Sequence, residues 1–332
     1  MHRITLGRDG PQVSRLGLGC MGMSGMYGPA DRGEAIATIH AALDAGVDLL
    51  DTGDFYGSGH NELLIREALR QLPRERVRLS VKFGALRDPA GGWLGFDARP
   101  AAMKNFLACS LQRLGVDHID IYRPARLDPQ VPIEDTVGAI ADMVKAGYVR
   151  HIGLSEVGAH TLRRAAAVHP ICDLQIEYSL ISRGIEDTIL PACRALGIGI
   201  TAYGVLSRGL ISGHWRAGAA APGDWRVHGP RFQDSNLERN LALVERLRAI
   251  AQPLGLGVAQ LAIAWVLAQG ADIVPLIGAR RRDQLAEALG ALLRPLDAAT
   301  LAALAQAVPR DAAAGSRYAP AQMAMLDSER PG

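Results

Sequence analysis

Residues 118–155 read HIDIYRPARLDPQVPIEDTVGAIADMVKAGYVRHIGLS and carry the clearest indication of the fold. This stretch begins with the short apolar run HIDIYRP, continues through IEDTVGAIADMVKAG with apolar residues at helical spacing, and ends in a second apolar run, VRHIGLS. A strand, a helix and a second strand in this order are typical of a βαβ unit, in which the helix returns the chain to the start of a parallel neighbour. The stretch therefore predicts two parallel strands joined by a crossover helix.

The same alternation extends over most of the chain. Eight runs are strand candidates: RLGLG (15–19), VDLLDTG (47–53), VRLSVKFG (77–84), HIDIYRP (118–124), VRHIGLS (149–155), CDLQIEYS (172–179), GIGITAYGVL (197–206) and DIVPLIG (272–278). Gly46, Gly115, Gly147 and Gly197 each follow a helical window, where a left-handed residue is needed before the next strand. Eight units favour a closed (β/α)8 TIM barrel over an open doubly wound sheet. Because no linker divides them, we expect one domain over residues 1–332.

Several segments interrupt the alternation. Residues 2–14 contain the turn dipeptide Asp9-Gly10 between two short extended runs, and predict a hairpin that closes one end of the barrel. Residues 85–98 and 213–236 follow strands, so we expect them to be lid loops at the catalytic mouth. An extra helical pair is predicted around 237–270, and a C-terminal tail over 309–332.

Composition narrows the classes of partner. Lys and Arg number 36 against 34 Asp and Glu, a net charge of +2, which disfavours a nucleic-acid or membrane partner and favours a small molecule. Cys20, Cys109, Cys172 and Cys193 are widely separated, so neither a disulfide framework nor a metal site is expected. The first residues lack the layout of a signal peptide, and no apolar run is long enough to span a membrane. We therefore expect a cytoplasmic protein; its oligomeric state is not readable from the sequence.

Residues 17–22, GLGCMG, match the G-x-G-x-x-G pattern of a Rossmann dinucleotide site. In that fold, a helix must begin within the motif so that its N-terminus can hold the pyrophosphate. Here MSGMYGPAD follows, and Gly25, Gly28 and Pro29 oppose a helix. The match is therefore interpreted as coincidental.

Three residues with acid–base chemistry fall at the predicted mouth. Asp51 ends the second strand candidate, Tyr56 opens the loop after it, and Lys82 stands at the same level on the third. A lysine flanked by Val81 and Phe83 is costly to bury unless it is paired, which predicts a buried Lys82–Asp51 pair. A cation beside a phenol lowers its pKa and makes Tyr56 a better proton donor. The alternative is that Asp51 caps a turn, Tyr56 packs and Lys82 reaches solvent.

These residues lie within longer runs that resemble the aldo-keto reductase superfamily. The similar stretches are GLGCMGMSGMYG, DAGVDLLDTGDFYGSGHNEL, VKFG, LGVDHIDIY, GYVRHIGLSE, LQIEYSLISR, AYGVLSRGL and VPLIGARR, in order over nearly the whole chain. The resemblance implies a barrel that binds NADP(H), NADPH being the form used for reduction. It also implies that Tyr56 is the general acid, with Asp51 and Lys82 as two further catalytic residues.

The fourth catalytic position of the family is a histidine, and this chain differs there. DIYRPARLDP places Ala125 at that position, and alanine neither donates a hydrogen bond nor titrates. The form PARLDP followed by VPIED looks like the pyridoxal reductase-like branch, in which the histidine is also missing, so pyridoxal is a candidate substrate. The lost imidazole leaves room for a ring-bearing aldehyde, and His60 is an alternative donor.

The candidate pocket residues, chosen for their location near strand ends, are Met26, Phe55, Phe83, Trp93, Arg123 and Ala125.

The resemblance also implies a set of cofactor contacts. Ser155, Glu156 and Gln175 would hold the nicotinamide carboxamide, although the family more often has Asn at position 156, and Tyr203 would stack on the ring. Gly19, Cys20 and Met21 at the first strand end, with Gly204, Leu206 and Arg208, would line the cofactor path. Gly278, Arg280, Arg281 and Arg282 precede a helix, where an anion is favoured, and suit the 2′-phosphate of NADPH. Gln284, Glu287 and Ala288 stand at the adenosine positions, where they differ from the family pattern.

Two other functions remain open at this point. The missing histidine is compatible with a non-catalytic NADPH-binding sensor or scaffold subunit. NAD-dependent dehydrogenases of sugars or alcohols also have this barrel fold. The arginine cluster disfavours this function, because it suits the 2′-phosphate that NAD lacks. The retained Asp51, Tyr56 and Lys82 favour a reductase of a small carbonyl compound, in which the lid residues Trp215, Trp225 and Tyr318 exclude water.

Overall fold

The computed structural model describes residues 2–216, 218 and 224–330. Its strands are β1 (Arg3–Thr5), β2 (Gln12–Ser14), β3 (Gly17–Gly19), β4 (Leu49–Gly53), β5 (Arg78–Phe83), β6 (Ala85–Arg87), β7 (Trp93–Phe96), β8 (Ile119–Pro124), β9 (Val149–Ser155), β10 (Ile171–Glu177), β11 (Gly199–Tyr203) and β12 (Ile273–Gly278). The helices are α1 (Arg32–Asp44), α2 (His60–Leu69), α3 (Pro100–Leu114), α4 (Ile133–Lys145), α5 (Ala159–Val168), α6 (Ile189–Leu196), α7 (Asp234–Ala251), α8 (Val258–Ala268), α9 (Arg282–Gly290), α10 (Ala298–Ala307) and α11 (Pro320–Met323).

Eight strands form a closed parallel barrel, which confirms the predicted fold. The hydrogen-bonded order is β3, β4, β5, β8, β9, β10, β11, β12, and β12 pairs with β3 to close it. The four glycines predicted to be left-handed after helices all have positive φ. Residues 17–22 do not begin an α-helix, because Met21–Ser24 form a short 3-10 turn and α1 begins only at Arg32. The Rossmann match is therefore excluded by the fold.

The barrel interior is filled in layers. At the N-terminal end, Leu6 and Val13 of the β1–β2 hairpin pack on inward apolar side chains from the strands, namely Leu49, Ile121, Val274 and Leu276. The hairpin thus closes this end, as predicted. Above this layer lies a buried ion pair between Arg123 and Asp173, and above that pair lies the Asp51–Lys82 pair near the C-terminal ends of the strands. The buried charged pairs of the barrel interior therefore lie toward the C-terminal ends of the strands, at the mouth of the barrel.

The segments after the strands cover that mouth. Residues 85–98, predicted to be a lid loop, contain the β6–β7 hairpin, whose register shifts between Leu86 and Arg87 and in which the Trp93 and Phe96 rings pack edge-on at 4.9 Å. Part of the predicted 213–236 loop, residues 217 and 219–223, lies outside the described residues. The tail after residue 309 returns across the ends of β9, β10 and β11. Among the described helices none alone could cross a bilayer, and only α7 with its extension to Leu254 and α8, taken together across an 86° bend, reach the required length and composition.

Candidate active site

The first feature of the mouth is a buried ion pair. Lys82 Nζ donates to Asp51 Oδ1 at 2.5 Å, and the second carboxylate oxygen, Oδ2, accepts from Ser80 Oγ at 2.8 Å and from Gln175 Nε2 at 2.7 Å. The strands place these groups together because Asp51 pairs with Ser80, and Lys82 follows two residues later on the same inward face. The predicted buried pair is therefore present, and both carboxylate oxygens of Asp51 are satisfied.

Tyr56 lies beside this pair. Lys82 Nζ is 5.0 Å from the centroid of the tyrosine ring, and the Phe55 ring packs edge-on against it at 4.7 Å. The expected lowering of the Tyr56 pKa is not what the structure gives. Burial and the charge of Asp51 raise it well above its ordinary range, and the guanidinium of Arg126 opposes them only in part. Tyr56 is therefore a protonated phenol at neutral pH.

Two predicted pocket residues point elsewhere. Phe83 faces the helical layer, where its ring stacks on Tyr122 at 4.6 Å and lies near Phe106 of α3, because it alternates with the inward Lys82. Arg123 points inward but is fully enclosed, and its Nη1 donates to Asp173 Oδ2 at 2.9 Å. Neither side chain lines the mouth, so both assignments were wrong.

Arg123 instead supports the layer above it. Its Nη2 donates to Ser80 Oγ at 3.0 Å, and Ser80 in turn donates to Asp51. Gly153 gives the guanidinium room, since a Cβ there would lie 2.5 Å from the Asp173 carboxylate and 3.0 Å from the guanidinium carbon. The residue therefore acts on Asp51 through Ser80.

Ala125 stands at the position of the missing histidine, and the next residue, Arg126, carries a charged side chain. Ala125 is buried, and its N–H donates to the Phe83 carbonyl. The next side chain, Arg126, turns toward β9, where its Nη1 donates to Ser155 Oγ at 3.3 Å. His60, the alternative donor, is exposed at the start of α2 and bonds Ser24 Oγ through its ring. Of these groups, Arg126 is the cation near Tyr56.

The residues expected near the nicotinamide lie together, but Glu156 already has partners. Its buried carboxylate accepts from both Nη atoms of Arg317 in the tail, at 2.9 and 2.6 Å, and from Tyr203 Oη at 2.7 Å. Burial raises the pKa of Glu156, but Arg317 and Arg126 lower it well below its ordinary range. Its φ of 53° lies in the left-handed region, which asparagine tolerates better than glutamate. In this structure the Glu156 carboxylate is bonded to Arg317 of the tail. A contact between Glu156 and the nicotinamide carboxamide would therefore require the bonds to Arg317 and Tyr203 to be replaced.

Arg208 and the lid segment form an aromatic and cationic cluster. The Arg208 guanidinium donates to Glu177 Oε2 at 3.0 Å and lies over the rings of Trp225 and Tyr318, at 5.5 and 4.2 Å from their centroids. Arg226 lies over Trp215 at 4.5 Å. The two indole N–H groups are buried and have no acceptor among the described residues. Such a donor set fits a polyphosphate, whose oxygens are strong acceptors.

The three arginines after β12 differ in their pairing. Arg281 binds Asp283, and Arg282 binds Glu34 of α1 through its side chain and its backbone N–H. Arg280 has no carboxylate oxygen within 4 Å in the part of the chain that the structure describes, and it donates to the carbonyls of Tyr27 and Gly28. Arg280 is thus the member of the cluster that is best placed for a phosphate.

The other predicted cofactor contacts differ in their exposure and in their hydrogen bonds. Gly278 is exposed, with open space where a Cβ would be. Gln284 accepts from the N–H of Arg280, Glu287 accepts from the His214 ring, and Ala288 is buried in the core. The remaining predicted residues lie along the mouth and its rim: Gly19 and Met21 at the end of β3, Met26 in the loop between β3 and α1, Gly204 and Leu206 after β11, and Trp93, 41% exposed, on the β6–β7 hairpin. Cys20 is fully buried, with its thiol toward the Leu18 carbonyl, so no cofactor can reach its side chain.

Taken together, the described residues fit a nicotinamide dinucleotide. Ser155 and Gln175 supply polar side chains at neighbouring strand ends, Tyr203 supplies an aromatic face, and the Arg208–Trp225 cluster and Arg280 supply donors and positive charge. Arg126, Glu177 and Arg317 were missed from the sequence. Arg126 directly follows the altered position, which is a local signal, whereas Arg317 becomes part of the site only when the tail folds back.

Comparison with known proteins agrees with this geometry. Residues 15–309 match the family model described as "Aldo/keto reductase family". The chain is 41% identical over 316 residues to "Probable aldo-keto reductase 1" of Glycine max, covering 95% of this chain and 91% of that protein.

Solved structures are similar over nearly the full length. The glycerol dehydrogenase AKR11B4 from Gluconobacter oxydans superimposes with a TM-score of 0.83 at 30% identity, covering 93% of this chain and 96% of that one. The aldo-keto reductase AKR11C1 from Bacillus halodurans gives 0.78 at 25% identity, covering 95% and 98%. The barrel, the paired groups at its mouth and these similarities lead to one conclusion: the chain belongs to the aldo/keto reductase family, whose members are oxidoreductases that use nicotinamide cofactors.

Proposed function

We propose that this protein is an NADPH-dependent reductase of small aldehydes or ketones, with Tyr56 as the proton donor and Asp51 and Lys82 as its supporting pair. The observation that carries the proposal is the position of Tyr56 beside the buried Lys82–Asp51 pair at the C-terminal end of the barrel. Barrel enzymes place their chemistry at this end because the loops after the strands meet there.

The proposed reaction needs one proton and one hydride. A reduced nicotinamide, when bound, supplies the hydride to the carbonyl carbon. As the C–O π bond breaks, Tyr56 Oη donates its proton to the oxygen, and the phenolate then regains a proton from water. The raised pKa keeps the proton on Tyr56 until transfer, and the Lys82 cation stabilises the phenolate that the transfer leaves.

The proposal extends to cofactor and substrate. Arg280, together with Arg208 and the buried indole donors of Trp215 and Trp225, supports binding of a phosphorylated dinucleotide, so NADPH is our proposed cofactor. Alanine at position 125 is smaller than the histidine of the family, and on this ground we propose a ring-bearing aldehyde such as pyridoxal as the substrate. We propose a small carbonyl compound as partner, with neither nucleic acid nor membrane, and the cytoplasm as compartment.

A second candidate is an NAD-dependent alcohol or sugar dehydrogenase on the same site. Two observations favour it: Arg281 and Arg282 are already paired with carboxylates, and the chain is similar to a protein described as a glycerol dehydrogenase. The direction of reaction and the cofactor separate the two candidates.

The test is single-turnover oxidation of NADPH with a panel of aldehydes that includes pyridoxal, followed by the loss of nicotinamide absorbance. We expect turnover with wild type and a loss of about 100-fold or more in Tyr56→Phe, because the phenol proton is removed while the ring remains. Tyr148→Phe is the matched control, since Tyr148 is 49% exposed outside the site. Tight NADPH binding without reduction of any aldehyde would instead support a non-catalytic sensor or scaffold.

A further inference from the structure

Arg126 directly follows Ala125, the residue that stands at the position of the family histidine. It lies just after the end of β8, between β5, which carries Lys82, and β9, which carries Ser155. Its Nη1 donates to the Ala125 carbonyl at 2.7 Å and to Ser155 Oγ at 3.3 Å. These two bonds hold the guanidinium at the mouth of the barrel, on the side where substrate meets Tyr56.

The charge of Arg126 has no direct counter-ion. In the described parts of the chain, no carboxylate oxygen lies within 4 Å of its guanidinium, whereas Arg123, Arg208 and Arg317 each pair with at least one carboxylate. Burial lowers the pKa of Arg126, but Tyr203, Tyr318 and Glu156 together raise it, so the side chain remains charged. A partly buried cation without a paired anion is costly unless a ligand supplies one.

The geometry of the guanidinium suits an oxygen pair. Of its donor nitrogens, only Nη1 bonds protein atoms among the described residues, which leaves the other donors for a ligand. The group also lies near enough to Tyr56 to oppose, by its charge, the effect of burial on the tyrosine pKa. A substrate carbonyl beside Tyr56 would therefore lie close to this cation, so that an anionic oxygen carried on the adjacent carbon or on the ortho position of an aromatic ring would come within reach of its donors.

We propose that Arg126 selects carbonyl substrates that carry an anionic oxygen next to the carbonyl group, such as ortho-formyl carboxylates, ortho-formyl phenolates and 2-oxo acids. This inference rests on the proposed reductase function and deepens it. The guanidinium binds the anionic oxygen and orients the carbonyl oxygen toward the Tyr56 hydroxyl. The hydride and proton reach the same atoms as before, so Arg126 transfers nothing and acts on substrate binding.

The experiment compares 2-formylbenzoate with its neutral methyl ester and with 4-formylbenzoate, whose carboxylate is out of reach. Wild type should prefer 2-formylbenzoate to the other two in kcat/KM. In Arg126→Met, the ratio of kcat/KM for 2-formylbenzoate to that for the ester should fall by about 10- to 100-fold, since one charge-assisted contact is lost. We expect the loss mainly in KM, and Arg126→Lys should restore part of it because the charge returns without the planar fork.

Arg150→Met is the matched control, because Arg150 is exposed at the opposite end of β9 and its loss should leave the ratio unchanged. If wild type reduces the ester as well as it reduces 2-formylbenzoate, or if Arg126→Met leaves the ratio unchanged, the selection role is overturned while the reductase function stands. If wild type reduces none of the three compounds, nor any neutral aldehyde, the reductase function itself fails. A loss of both substrates by equal factors would mean that Arg126 only supports the fold of the mouth, and would also overturn the proposal.

Discussion

Asp54 lies two residues before Tyr56, and its carboxyl group is poorly satisfied. Oδ1 is buried with no hydrogen-bond partner among the described residues, and Oδ2 accepts only a long bond, 3.3 Å, from the N–H of Gly84. Burial raises the pKa of Asp54 to about 7, and the nearby Glu62 adds to the effect. The charged form is therefore disfavoured in the folded protein but not in the unfolded chain.

The sign of the pH dependence follows from this difference. Between about pH 4 and pH 7 the unfolded carboxyl has lost its proton while the folded one retains it, so the free energy of unfolding falls as the pH rises through this window. Asp54→Asn stays neutral and lacks this loss. We therefore expect the variant to gain about 2–4 kcal/mol relative to wild type between pH 4 and pH 8, measured by urea denaturation.

The control for this prediction is Asp44→Asn, because the side chain of Asp44 is 76% exposed. Its difference from wild type should stay nearly constant with pH. Parallel stability profiles of Asp54→Asn and wild type would show that Asp54 ionises normally in the folded protein.

At the scale of elements, the N-terminus of α9 is the region expected to bind the cofactor phosphate. The free N–H groups and the dipole of a helix favour an anion at its start. In this protein Glu34 of α1 already provides one, since its carboxylate accepts from the backbone N–H of Arg282 at 2.9 Å and from both Nε and Nη2 of that side chain. A bound 2′-phosphate would have to share this position with Glu34.

We expect Glu34→Gln to bind NADPH more tightly while NADH affinity changes little, so that the preference for NADPH rises by about 3- to 10-fold. The reason is that the substitution removes a negative charge from the phosphate position, although solvent screens the effect because Glu34 is near the surface. Dissociation constants for both cofactors, from quenching of tryptophan fluorescence, measure it. Glu134→Gln is the control, because it breaks a similar exposed pair with Arg164 between α4 and α5. Weaker NADPH binding in Glu34→Gln would contradict this account.

At the scale of the whole molecule, the C-terminal tail is joined to the barrel through buried charge. Arg317 bonds Glu156 at the end of β9, lies 3.6 Å from Glu177 at the end of β10, and pairs with Glu329 in the tail itself. Tyr318 Oη lies 2.9 Å from Tyr203 Oη at the end of β11. Arg317 and Tyr318 therefore connect the tail to the ends of three strands. We expect the tail to detach and the mouth to lose stability in the same event.

We expect Arg317→Met to lower the free energy of unfolding by about 2–5 kcal/mol, because it leaves the buried Glu156 without its guanidinium. Limited proteolysis should then cut the tail sooner than in wild type, because Arg317 joins the tail to the buried carboxylates Glu156 and Glu177. Arg310→Met is the matched control: Arg310 is also in the tail, but its pairs with Asp187 and Glu186 are 41% exposed on the arginine side. Equal protease resistance of Arg317→Met and wild type would show that other contacts hold the tail.

The barrel, and the height of Asp51 and Lys82 within it, could be predicted from the amino-acid sequence alone. The alternation of apolar runs and helical windows is local, and in parallel strands a period of two fixes which residues share a face, so Asp51 and Lys82 could be placed together. By contrast, the packing of Phe83 against α3 and the enclosure of Arg123 below the mouth became evident only from the folded structure. It alone also joined Glu156 to Arg317, 161 residues apart, and Arg282 to Glu34, 248 apart. These ion pairs form because folding buries charged residues that are far apart in the sequence, and a buried charge needs a partner. No local sequence pattern indicates which distant residue that partner is.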